Sequence, residues 1–133
     1  MPHTTGLAHG PYADASTTRA ADLAVETIRY LTLATAEGGI TDPATIAAVT
    51  ASLTTTAHRL PQLLNTISAW LVAGTVAGRI ADDHQGSSDQ LADRIRAASA
   101  HAADAADDLT VALAAVYNLS ATLHAAEPTA VAR

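Results

Sequence analysis

Apolar positions recur every three or four residues over most of the chain, the spacing of one face of an α-helix. In residues 14–36 the polar Arg19, Asp22, Glu26 and Arg29 share one face, and Ala21, Ala24, Val25, Ile28 and Leu31 form the other. Asp14 or Ser16 can cap the start. Gly38-Gly39 predict the end, because glycine takes the left-handed terminal conformation without strain. Asp42-Pro43 predict a second start, with Asp as the cap and Pro where its missing N–H costs nothing. From there Ile46, Thr50, Leu53, Ala57, Leu60, Leu64, Ile67, Leu71, Gly74, Gly78 and Ala81 follow alternating steps of four and three, a heptad seam. Pro61 keeps the phase but interrupts the backbone ladder, so a kinked helix or a closely abutted pair is expected there. After the acidic turn DDHQGSS, residues 82–88, Ser87 or Ser88 can cap a last helix, with Asp89 favouring its dipole. Leu91, Ile95, Ala98, Ala102, Ala105, Leu109, Ala112, Val116, Leu119, Leu123 and Ala126 repeat the same steps.

Two long segments of matching length and period, joined by a short turn, predict antiparallel pairing. The Gly-Gly turn is expected to fold the first helix back beside residues 43–60 and 106–125. The expected class is therefore all-α: an antiparallel long helical hairpin with a third N-terminal helix, within a three- to five-helix bundle. It is expected to form one domain over residues 14–126, between tails at 1–13 and 127–133.

Residues 60–78 carry no charge. A membrane span needs about 20 predominantly apolar residues. Pro61, Gln62, Asn65, Thr66 and Ser68 crowd the first half of this stretch, and no span is expected. The pair Gly74-x-x-x-Gly78 would let a second helix approach closely, either the last helix of the same chain or one from another subunit. Ala69, Val72, Ala73, Val76 and Ile80 make a second apolar stripe opposite the seam. An interface is accordingly expected at Trp70, Val72, Gly74, Val76, Gly78 and Ile80.

Composition sharpens this expectation. The chain holds 33 Ala, one Trp, one Met and no Phe. Such a core buries little area per residue, and burial stabilises by only about 25 cal/mol per Å². Close helix approach over a long seam, or oligomerisation, must supply the rest. There is no Cys, which removes disulfides and thiolate metal sites. All seven cations are Arg, as in proteins of GC-rich genomes such as those of actinomycetes. The formal charge is −6, and residues 81–133 hold eight acids against three Arg. An acidic surface suits nucleic acid poorly, and no nucleic-acid partner is expected. The start, MPHTTGLAHGPY, shows no basic region followed by an apolar core, so a cytoplasmic protein is expected.

Candidate chemistry is sparse. His101 and Asp104 share a helix face, and His84 follows Asp82-Asp83. A metal site needs three or four ligands, so neither a metal nor another cofactor is expected. Arg96-x4-His101 resembles the Arg-x4–6-His motif of the HEPN ribonucleases, small helical bundles in which the Arg and His of two subunits act together on RNA. That resemblance would make Arg96 and His101 catalytic. The Tyr often found two residues after the family's His is here Ala103, and Arg79-x4-His84 matches equally well. A small Ala-rich hairpin is also similar to the type VII-secreted helical hairpins. Their Trp-x-Gly turn is here Trp70-Leu71-Val72, and the position four after Tyr117 is Ala121 rather than an acid. Finally, Leu60-Pro61-Gln62-Leu63-Leu64, Trp70-Leu71 and Gly78-Arg79, within residues 58–125, resemble uncharacterised Ala-rich helical proteins of actinomycete mobile elements. The reading best supported by the residues is a non-enzymatic interaction or adaptor subunit. It would work by helix–helix association, as a homo-oligomer or in a hetero-assembly with another protein.

Overall fold

The computed structural model describes residue 10, residues 12–82 and 86–124, and residue 126. Asp83 and His84 lie outside the described residues, as do most of the two expected tails. Three helices follow one another: α1 Asp14–Ala36, α2 Pro43–Val76 and α3 Ser88–Ala121. The chain divides into two compact units, Met1–Thr41 and Asp42–Arg133. The first contains α1, and the second is a hairpin in which α2 packs on α3.

The helix ends follow from local chemistry. Ala13 occupies the cap position of α1, and Ser16 reaches back to it. The Ser16 hydroxyl accepts from Ala13 N at 3.1 Å and donates to Ala13 O at 2.9 Å. Gly38, at φ +78°, turns the chain out of α1, and Gly39 N donates to Ala34 O at 2.8 Å. Asp42 caps α2 by accepting from Ala44 N at 2.9 Å, with Pro43 in the first turn. Ser87 and Gln90 cap α3 reciprocally. Ser87 Oγ accepts from Gln90 N, and Gln90 Oε1 accepts from Ser87 N. α2 runs through Pro61 without a break.

The hairpin closes on small side chains. The buried residues of α2 are Thr50, Ala57, Gly74 and Thr75, and those of α3 are Ala92, Ala106 and Ser120. No large side chain is fully buried among the described residues. Short side chains let two backbones approach, and many weak dispersion contacts then add up along two helices of 34 residues each. The buried hydroxyls cost little because each bonds within its own helix. Thr50 Oγ1 donates to Ile46 O and Ala47 O at 3.0 Å, Thr75 Oγ1 to Leu71 O at 2.9 Å, and Ser120 Oγ to Val116 O at 2.8 Å. Each then presents mostly carbon to the opposite helix.

Two details of the expected seams are corrected. On α2 the seam holds from Ile46 to Leu64 and again at Leu71 and Gly74, but Ile67 is exposed while Ser68 and Thr75 turn inward. A straight α-helix drifts by about 20° per heptad from a strict seven-residue repeat. Over four turns that drift hands the inward position to the next residue. On α3 the inward positions are Leu91, Ala92, Ile95, Ser99, Ala102, Ala103, Ala106, Thr110, Leu113, Ala114 and Ser120, so Leu91, Ile95 and Ala102 keep their expected place. The expected members Ala98, Ala105, Leu109, Ala112, Val116, Leu119 and Leu123 are all exposed. The helix is turned by about one residue, near 100°, from the orientation that would bury its largest side chains.

Candidate interaction surface

That rotation leaves a stripe of large apolar side chains outside the seam. On α3 it contains Leu109, Val116 and Leu119, with Leu119 71% exposed, and just past the helix end Leu123 is 61% exposed. On α2 the corresponding positions are Leu63, Ile67 and Trp70, and Trp70 is 68% exposed. Seen from its own N-terminus, each helix carries this stripe roughly 90° anticlockwise of its seam, at 100° per residue. The two seams face each other and the helices run in opposite directions, so both stripes fall on the same side of the hairpin. The other side is mixed, with Val76 66% and Val111 73% exposed among polar residues. There an open groove of 660 Å³ is lined by His58, Pro61 and Asn65 of α2 together with Asp107 of α3. Those four positions are offset from their seams in the opposite sense.

The residues expected at an interface do not form one patch. Gly74, Gly78 and Ile80 build the end of α2. Gly78 has φ +75° and donates its N–H to Thr75 O at 3.1 Å, while Arg79 N and Ile80 N both donate to Gly74 O, at 2.9 and 3.2 Å. The Ile80 side chain folds back over Gly74, where an added Cβ would come within 2.8 Å of Ile80 Cγ1. The glycine pair is thus a helix-terminating cap with its hydrophobic cover, and the last seam steps expected at Gly78 and Ala81 lie beyond the helix. Trp70 and Val76 are both exposed, yet six residues apart on one helix they point about 120° from each other. Val72 is half-buried.

Leu63, Ile67, Leu109, Leu119 and Leu123 are all exposed. Heptad spacing alone places Ile67, Leu109, Leu119 and Leu123 in the seam. The signal that separates them is the 3.6-residue period of a straight helix, which favours the neighbouring Ala, Ser and Thr positions instead.

The candidate catalytic pair is solvated. Arg96 Nη1 bonds Asp93 Oδ1 at 3.2 Å, with both side chains largely exposed, and His101 is exposed on the same helix. Arg94 instead clasps the turn, its Nη2 lying 2.8 Å from Asp82 Oδ2. Among the described residues no three His, Asp or Glu side chains gather to hold a metal ion. No described helix is long and apolar enough to cross a membrane.

No known protein family, curated protein or solved structure matches the chain.

Proposed function

We propose that this protein is a non-enzymatic, cytoplasmic interaction subunit that works by helix–helix association through the apolar side of its hairpin. The observation that carries the reading is the one-sided exposure of Leu63, Ile67, Trp70, Leu109, Val116, Leu119 and Leu123. Single exposed apolar residues are ordinary, but a row on each helix, both on one side of the hairpin, is the pattern of a surface that meets another chain. The hairpin fully buries only small side chains and leaves a row of large ones exposed on each helix. That allocation suits a part that completes its core on assembly.

The test places a photo-reactive amino acid at position 119 or 67, and at position 65 on the opposite side as control, in the native cells. Cross-linked protein species are expected from 119 and 67 and not from 65. Equal yields at all three positions, or none at any, would overturn the reading.

A further inference from the structure

We propose that the occupant of this apolar side is a second copy of the same chain, with α2 of each copy lying on α3 of the other to close a four-helix bundle. The inference rests on the interaction-subunit reading and names its partner. Area is the first argument. The seven exposed side chains together offer on the order of 700 Å², close to the ~800 Å² per partner of a standard stable interface.

Size is the second. In the half of the hairpin near the turn, α2 shows Leu63, Ile67 and Trp70, and α3 shows Ala98 and Ala105 at the same angular position. In the open half the roles reverse: α3 shows Leu109, Val116 and Leu119, and α2 shows Ser52 and Thr56. A two-fold axis parallel to the helices lays each bulky half on the small half of the other copy. Every neighbouring pair of helices is then antiparallel.

Charge is the third, and it selects between arrangements. With α2 and α3 of equal length, a register that sets Val76 level with Ser88 and Pro43 level with Ala121 sets Arg59 level with Ala105. Asp108 is three residues further, about 4.5 Å along the axis at 1.5 Å per residue. Arg59, which borders the groove at Asp107, and Asp108, which points away from α2 by helical angle, are both exposed on the outside of the hairpin, and within the chain neither forms an ion pair among the described residues. Pairing α2 with α3 of the second copy brings these opposite charges together. Pairing α2 with α2 would bring Arg59 towards its own counterpart.

Size-exclusion chromatography with multi-angle light scattering over a tenfold concentration range tests this, with circular dichroism as the control for folding. The wild type is expected near twice the 13.5 kDa chain mass. Leu119→Asp and, independently, Ile67→Asp are each expected to give a helical monomer. Arg59→Glu is expected to weaken the dimer roughly tenfold, and adding Asp108→Arg to restore it. A wild-type monomer at every concentration would overturn the second copy. So would a dimer mass that the Ile67 and Arg59 variants leave unchanged. If a monomer still cross-links through position 119 in cells, the interaction reading survives and only the second copy is lost. If that cross-link is missing as well, both fail.

Discussion

Replacing Gly78 separates two roles that a Gly-x-x-x-Gly pair can play. At φ +75° the residue sits in the left-handed region, and a Cβ built there meets nothing within 4 Å. Substitution therefore acts on the backbone alone. An L-residue pays about 1–2 kcal/mol in this conformation. Alanine recovers roughly 0.4–1 kcal/mol by restricting the unfolded chain. Gly78→Ala should then cost about 1 kcal/mol, a fall of roughly 0.5 M in the urea midpoint for a typical slope. Gly78→Asn should cost less than Gly78→Ala, because Asn tolerates the left-handed region better. If the glycine were there to admit a neighbouring helix, the order would reverse, since Asn is the larger side chain. Urea titration followed by circular dichroism at 222 nm reads the series. All variants need one protein concentration, because association contributes to apparent stability. An Asn variant less stable than the Ala variant, or an Ala variant equal to wild type, would refute the cap.

Two further substitutions probe the hairpin. Pro61 lies inside a continuous helix, where it removes a backbone bond. Pro61→Ala is expected to raise stability by about 1–3 kcal/mol in the same urea titration, and a loss would refute the account of Pro61 as a local cost. Ala57 is 2% exposed in the small-residue seam. Ala57→Leu should therefore destabilise by about 1–3 kcal/mol through overpacking, whereas Val111→Leu on the exposed face should stay within about 0.5 kcal/mol. Equal effects would mean that the seam has room.

Much of the fold is legible in local residues. Asp42-Pro43, Ser87 and Gly38-Gly39 each mark a helix boundary that the structure keeps, because capping needs only a few adjacent atoms. The uncharged run 60–78 is a helix with a capped end, and Gly78 closes it where the heptad reading carried it on. The candidate surface was harder to see. Leu109, Val116, Leu119 and Leu123 have perfect seam spacing, and spacing cannot tell which of two neighbouring stripes meets the intramolecular partner.

The sequence by itself determined the three helices, the end of α1, the starts of α2 and α3, the antiparallel hairpin and the poverty of large core residues, because propensity, capping and loop length act within a few residues. Only the tertiary structure decided which face of α3 turns to α2. That choice depends on how closely two backbones can approach. Ala106, Thr110 and Ser120 permit a close seam along both helices, while Leu109 and Leu119 would hold them apart. The bulky stripe is therefore left on the outside.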